Sequence, residues 1–192
     1  MSYKKLILAS ASQRRRELME SMGLEFTVDC STSFKEIVPE STAPEDIPSL
    51  FAEGKSKGFH RPLADDEVLI TADTVVVCDG ILMGKPADKD DARSMLRLLS
   101  GRTHKVVSAI CVRDSKCCIT HSDTALVTFR EMSDEEIDFY VEKFKPLDKA
   151  GAYGIQEWIG LVAATSINGS FYTIMGLPTH LLSQMLSDIN YR

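Results

Sequence analysis

KKLILASASQRRRELMESMG, residues 4–23, changes from a strand pattern to a helix pattern within a few positions. It begins with the short apolar run of a buried strand. Ser10 or Ser12 can then cap a helix over about 13–22, and Gly23 is a typical helix stop. A strand, a tight turn and a helix in this order predict an α/β fold.

Strands and helices alternate along the rest of the chain, without repeats or low-complexity tracts. Strands are predicted at residues 25–31, 68–78, 104–112, 119–129, 161–167 and 170–174, and helices at 42–58, 88–99, 133–144 and from about 178. Capping-box spacing opens two helices, at Thr42 and Ser133, and turns are predicted at Asp79-Gly80 and Asn168-Gly169. The strands on either side of Asp114 favour a hairpin. The sequence therefore predicts one α/β domain over residues 1–192, with a mixed, twisted β-sheet flanked by helices.

Composition excludes several classes of protein. The net charge is -6 and the pI is near 5.3, which disfavours nucleic acid as a partner. No apolar run approaches the roughly 20 residues that span a bilayer, so no membrane partner is expected. The chain passes directly from two lysines into a strand-like run, without the pattern of a secretion signal. Five cysteines without a CxxC motif are typical of reduced thiols, and a cytoplasmic location is expected.

The segment from Ser10 to Arg16 is a candidate anion site. It places Arg14, Arg15 and Arg16 at the start of a predicted helix. Unpaired N–H groups and the positive end of the helix dipole favour an anion at that place, and the arginines strengthen the effect. A solvated basic helix face has the same residue pattern, so this run alone leaves both interpretations open.

Asp73 lies inside a nearly unbroken apolar run, residues 68–78. An ionised carboxylate in a buried strand must be paired, hydrogen-bonded or metal-bound, because burying it alone is costly. The carboxyl ends of strands in open α/β sheets are where ligands bind, so Asp73 is a candidate functional residue. Lys85, in a Gly-Lys-Pro turn, and Lys55, on the preceding helix, could neutralise a polyphosphate there, although isolated lysines are usually surface residues.

The segment DKAGAYGIQ, residues 148–156, is a candidate binding loop. Its small residues let the backbone approach a ligand closely, and the amide of Gln156 can read the edge of a base through one donor and one acceptor. An ordinary connection between a helix and a strand has a similar composition.

Other catalytic patterns are absent from the sequence. It has no GxxxxGK[ST] phosphate-binding loop and no HExxH zinc motif. The residues that follow Asp73 offer no second carboxylate for aspartyl-phosphate chemistry. The four histidines lie far apart along the chain and are expected to be structural or exposed.

Taken in order, these segments resemble the Maf family of nucleotide pyrophosphatases. The resemblance rests on LASASQRR (8–15), ADTVV (72–76), GKP (84–86), LSGRTH (99–104), DKAGAYGIQ (148–156) and GLP (176–178). It implies a mixed-sheet α/β fold of the Maf and ITPase kind, with two lobes around a deep cleft, often as a homodimer. It also implies hydrolysis of a nucleoside triphosphate to the monophosphate and pyrophosphate, with Mg²⁺ or Mn²⁺ as cofactor.

The resemblance assigns roles to particular residues. Asp73 is implied as the proton acceptor that activates water, and the metal is expected at Asp73 and Glu36. Lys55 and Lys85 are implied around the phosphates. Substrate binding and base choice are implied at five positions: Ser10, Arg14, Arg15, Thr74 and Gln156.

The segment around Gln156 is similar to the family branch that acts on dTTP and UTP. Gln156 and Thr74 could pair with the imide edge that thymine and uracil share, whereas cytosine exchanges a donor for an acceptor there. A 7-methyl-GTP pyrophosphatase of the same family and a non-hydrolysing nucleotide-binding regulator of cell division are the alternatives. A house-cleaning role fits the enzyme interpretation.

Two departures from the family pattern bear on these expectations. Lys35 stands where the family usually has an acidic residue before Glu36, and Glu157-Trp158 follows Gln156 where a glycine is typical. Trp158 could narrow a base pocket or only pack.

Overall fold

The computed structural model describes residues 4–189 and residue 191. The strands are β1 (Lys5–Leu8), β2 (Phe26–Val28), β3 (Glu67–Cys78), β4 (Ile81–Met83), β5 (Thr103–Arg113), β6 (Cys118–Phe129) and β7 (Ala164–Asn168). The helices are α1 (Gln13–Ser21), α2 (Ile47–Lys57), α3 (Lys89–Leu99), α4 (Asp134–Phe144), α5 (Trp158–Ala163), α6 (Phe171–Met175) and α7 (Thr179–Asp188).

One mixed sheet contains all seven of these strands. Its order is β2-β1-β3-β5-β6-β7, and β4 pairs with β3. Strand β1 runs parallel to both β2 and β3, whereas β4 is antiparallel to β3 and β7 is antiparallel to β6. The predicted α/β class with a mixed sheet is confirmed.

The chain divides into two compact units. The first unit comprises the residues up to Asp73, Ser108–Asp123 and the residues from Gly176 onward; the second comprises Thr74–Val107 and Thr124–Met175. In the first unit, buried side chains of β1 and β3 pack with Phe59. In the second unit, a larger core joins α3, α4 and α5 to its strands. The single domain over residues 1–192 stays a prediction.

Helix boundaries follow from local capping. The hydroxyl of Ser12 accepts the N–H of Arg15 at the start of α1, and Gly23, with φ +69°, follows the end of that helix. Ser133 and Glu136 form the predicted capping box of α4. Strands β3 and β4 turn at Asp79 and Gly80, whose φ values of 51° and 78° are those of a tight hairpin.

Two local predictions are wrong. Thr42 does not cap a helix, because that segment begins as a 3₁₀ turn at Pro44, with Ala43 at the N-cap position and no side-chain cap. The strand predicted at 170–174 is wrong, because residues 171–175 form helix α6, and the turn predicted at Asn168-Gly169 therefore joins no hairpin. Of the strand predicted at 161–167, residues 161–163 belong to α5 and the rest lies in β7. At Gly169 the backbone passes so close to β6 that a Cβ atom would lie 2.8 Å from the Ala125 Cα. Strand β7 pairs instead with β6, antiparallel and across a long connection that contains α4 and α5.

Among the described residues, no helix combines the length and the apolar character needed to cross a bilayer.

Candidate active site

Lys55 lies between two carboxylates in the first unit. Its Nζ is 2.6 Å from Asp73 Oδ1 and 2.7 Å from Glu36 Oε1. The side chains of Lys55 and Asp73 are only 20% and 14% exposed, whereas Glu36, on the segment before α2, is 55% exposed. Two carboxylate oxygens on one ammonium must be close neighbours, so the sequence residues Glu36, Lys55 and Asp73 form a single cluster.

Buried hydrogen bonds hold α2 beside the strand that carries Asp73. The hydroxyl of Thr71, on β3, donates to the carbonyl of Ala52, on α2, at 2.6 Å. From β5, Arg113 donates to both the hydroxyl and the carbonyl of Ser56, at 3.0 and 2.7 Å. These contacts fix Lys55 relative to Asp73. Sequence reasoning missed them, although Thr71 interrupts an apolar run as Asp73 does.

Burial raises the pKa of the Asp73 carboxyl above its ordinary value. The positive charges of Lys55 and Arg15 oppose this effect but do not outweigh it, and the negative charge of Glu36 adds to it. A raised pKa makes the carboxylate a stronger base, which suits a group that accepts a proton from water.

Arg15 braces the backbone around this cluster. Its guanidinium donates to the carbonyl of Ala72 at 2.9 Å, to the hydroxyl of Ser10 at 3.2 Å and to the carbonyl of Gly176 at 2.8 Å. Burial lowers its pKa. The residue before it, Arg14, lies half-buried in the first turn of α1.

The second unit brings together three other segments that the sequence singled out. The N–H of Gly151 donates to the carbonyl of Gly84, next to the exposed Lys85, at 3.0 Å. Gly151 has φ +67°, and a Cβ there would lie 2.9 Å from the side chain of Val76, two residues after Thr74 on β3. The loop 148–156 therefore packs on the Gly84–Lys85 turn and on β3.

Gln156 stands at the exposed end of that loop. Residues 151–155 are buried, and Gln156 itself is exposed. Behind them, the buried His104 ring bonds the hydroxyl of Tyr153 through Nε2 at 2.8 Å. Burial lowers the pKa of His104 to about 4, so the ring is neutral and structural at pH 7. Trp158 stacks on Tyr140 and meets Phe139 edge to face, and it packs, partly buried, against the core of its unit.

No group of three or more His, Cys, Asp or Glu side chains in the described part of the chain could hold a metal ion by itself. Glu36 and Asp73 supply two carboxylates. That donor set fits Mg²⁺ or Mn²⁺ only when phosphate oxygens and water complete the coordination, which is the usual arrangement for Mg²⁺ in nucleotide enzymes. Lys35 is exposed and not part of the cluster that Lys55 forms.

The sequence profile of the family described as "Maf-like protein" matches residues 5–189. The chain belongs to the Maf family. Proteins named dTTP/UTP pyrophosphatase, from Porphyromonas gingivalis and Phocaeicola vulgatus, are each 45% identical to this Maf protein. The alignments cover 96% of this chain, and 94% and 96% of the two relatives. Among solved structures, a HAM1 protein from Coxiella burnetii is similar in fold, with a TM-score of 0.50, 14% sequence identity, and coverage of 96% of this chain and 99% of that one.

Proposed function

We propose that this Maf protein hydrolyses dTTP and UTP to the monophosphate and pyrophosphate. The observation that carries the proposal is the cluster of Glu36, Lys55 and Asp73, in a chain 45% identical to proteins named for this activity. An acidic pair held on one lysine beside a basic helix start has the groups needed for attack on a phosphoanhydride.

Asp73 is the proposed general base. Its carboxylate orients a water molecule and takes its proton as the oxygen attacks the α-phosphorus, and the bond from that phosphorus to the bridging oxygen breaks. Pyrophosphate leaves with both bonding electrons. No covalent intermediate with the protein is needed, so Asp73 acts on water and not as the nucleophile.

Cationic groups offset the charge of the triphosphate. Lys55 and Arg14 are proposed to contact phosphate oxygens in the first unit, and Lys85 has the same proposed role in the second unit. Arg15 and Ser10 are assigned to substrate binding chiefly through the backbone that they position, since the guanidinium of Arg15 already donates to Ser10, Ala72 and Gly176.

A divalent cation, Mg²⁺ or Mn²⁺, is part of the proposal, with Glu36 and Asp73 as its protein ligands. Such an ion neutralises charge on the leaving pyrophosphate when bound. The protein's own contribution is to keep the two carboxylates adjacent, which Lys55 does in this structure.

Base choice is proposed to depend on Gln156 and Thr74. Gln156 ends a buried loop with its own side chain exposed, so its amide is available for the imide edge of thymine or uracil. Cytosine presents the opposite donor and acceptor at that edge. In enzymes that read polar groups, such a mismatch weakens binding by on the order of 1–3 kcal/mol, which is a discrimination of about tenfold or more.

The test is product analysis with dTTP, UTP, CTP and 7-methyl-GTP, in Mg²⁺ or Mn²⁺. Asp73→Asn is the inactive variant and Asp90→Asn, whose carboxylate is exposed on α3, is the matched control. We expect pyrophosphate and monophosphate from dTTP and UTP with the wild type and with the control. Orthophosphate as the product, preference for 7-methyl-GTP, or tight nucleotide binding without turnover would each refute the proposal.

Self-association as a homodimer is also proposed, from the family resemblance alone. Light scattering on the purified chain tests it, and a monomeric mass at micromolar concentration would contradict it.

A further inference from the structure

Glu157 directly follows the exposed Gln156 and turns back into the second unit. Its side chain is 20% exposed and reaches two polar partners there. This is the position at which the chain departs from the glycine that is typical of its family. The carboxylate therefore needs a structural explanation of its own.

The first partner is the hydroxyl of Tyr140, on α4. That hydroxyl donates to Glu157 Oε2, and it accepts the backbone N–H of Gly154 at 3.0 Å. Tyr140 is fully buried, and burial and the neighbouring carboxylate raise its pKa, so the hydroxyl keeps its proton at all working pH values. A protonated phenol can serve both partners at once, as one donor and one acceptor.

The second partner is the ammonium group of Lys149, at the other end of the loop. Lys149 Nζ lies 3.2 Å from Glu157 Oε1 and 2.7 Å from Asp148, and its side chain is only 10% exposed. Glu157 thus binds Lys149 directly, and it is linked to the backbone of Gly154 through the hydroxyl of Tyr140 on α4. Removal of the side chain at 157 leaves Lys149 with Asp148 alone, whereas glutamine at 157 loses the negative charge and keeps only one oxygen for the two donors.

Close packing further restricts the backbone on both sides of Gln156. A Cβ on Gly154 would lie 2.8 Å from the Glu157 carboxyl carbon, and a Cβ on Gly160 would lie 1.8 Å from the carbonyl oxygen of Ile155. Helix α5 therefore sits directly on the backbone of residue 155. Gln156 lies between these two fixed points, and only its side chain is exposed.

We propose that Glu157, acting with Tyr140, is a positioning residue that orients Gln156 and thereby sets the preference for thymine and uracil over cytosine. This inference rests on the proposed function, because it concerns how the same substrates are told apart. Its carboxylate binds Tyr140 and Lys149, and in this proposal Glu157 does not contact the substrate. It acts through the backbone of residues 154–156, where a shift of about 1 Å misplaces the amide of Gln156.

The experiment compares Glu157→Gln and Tyr140→Phe with the wild type. Both variants nearly keep side-chain volume. Glu157→Gln replaces one of the two carboxylate oxygens, which serve Tyr140 and Lys149, with an NH₂ group, and Tyr140→Phe removes the hydroxyl that binds Glu157 and Gly154. Glu135→Gln, on the exposed side of α4, and Tyr172→Phe, an exposed tyrosine of α6, are the matched controls. Steady-state kcat and KM are measured for dTTP, UTP and CTP, together with the melting temperature of each protein.

For both test variants we expect KM for dTTP and UTP to rise roughly tenfold, with little change in kcat and little change in kcat/KM for CTP. The dTTP-to-CTP selectivity ratio then falls about tenfold. A purely structural role lowers the folded fraction and reduces turnover of all three nucleotides in proportion, which leaves that ratio unchanged. The control variants keep the wild-type ratio.

An unchanged selectivity ratio in Glu157→Gln overturns the inference while leaving the proposed function intact. If Tyr140→Phe fails to fold, the selectivity ratio of Glu157→Gln alone tests the inference. If Glu157→Gln fails to fold, the ratio of Tyr140→Phe does so. A wild type that releases no pyrophosphate from dTTP or UTP is a different result, because it overturns the proposed function and the inference with it.

Discussion

Replacing Asp73 with asparagine is expected to lower activity by orders of magnitude and to stabilise the fold. The substitution keeps the shape of the side chain and an oxygen that can accept from Lys55, 2.6 Å away in the native cluster. It removes a negative charge whose burial cost exceeds the attraction of Lys55 and Arg15, as the raised pKa of Asp73 indicates. Relief of this kind at functional sites is commonly worth about 1 kcal/mol, or roughly 2–4 °C in Tm for a chain of this length.

The stability gain should depend on pH in a defined direction. Asp73 has a folded pKa above its ordinary value of 3.8, so the native carboxylate destabilises the fold at pH values above that raised pKa. Below pH 3.8 the group is protonated in both the folded and unfolded states, and the wild type and Asp73→Asn should melt alike. Thermal unfolding followed by circular dichroism, without divalent cation, at pH 7 and at a pH well below 3.8 gives both values.

Activity should fall in the same variant by about 10³-fold, which is within the usual contribution of a general base. The assay is pyrophosphate release from dTTP at saturating divalent cation. A lower Tm at pH 7 than in the wild type would show that the Lys55 and Arg15 attractions outweigh burial, and would refute the electrostatic reasoning. Turnover within tenfold of the wild type would refute the assignment of Asp73 as the base.

Three further predictions follow from the same geometry. Lys55→Met should lower kcat/KM for dTTP by at least about tenfold, because it removes the cation between two carboxylates, whereas Lys57→Met, at an exposed site on the same helix, should leave it unchanged. In the protein without divalent cation, NMR titration of the Asp73 carboxyl should give a pKa above the ordinary value of 3.8, because burial disfavours its charge; a pKa at or below 3.8 would contradict this. Gly160→Ala should lower the free energy of unfolding by about 3 kcal/mol, measured by urea denaturation, since its Cβ would overlap the carbonyl of Ile155; a loss below about 0.5 kcal/mol would mean that the loop yields.

Local signals in the sequence were sufficient for most elements before residue 145; the exceptions are the cap predicted at Thr42 and strand β4, which was not predicted. The capping box at Ser133, the stop at Gly23 and the turn at Asp79-Gly80 each depend on residues within one turn of the chain, and each is found in the structure. The predictions failed where tertiary contacts determine the secondary structure. Residues 171–175, FYTIM, have a strand-like composition but form a helix after Gly169, whose backbone passes against β6.

The candidate site also has a part that the sequence predicts and a part that only tertiary contacts reveal. A charged residue in the apolar run 68–78 was enough to single out Asp73, because burial of an unpaired carboxylate is costly. The pairing of Glu36 with Lys55 depends on a packed helix and could not be derived from spacing. Arg15 stabilises the surrounding backbone through three hydrogen bonds, to Ser10, Ala72 and Gly176. A run of three arginines in the sequence does not predict this role.

Strand β3 has one further consequence. Asp73 is the last residue of the first unit's opening segment, and Thr74 is the first residue of the second unit. One planar peptide bond joins the proposed base to a proposed selector of the pyrimidine, with the two Cα atoms about 3.8 Å apart whatever else changes. A slippage or tilt of β3 displaces both together. A change in β3 that repositions Thr74 therefore also repositions Asp73.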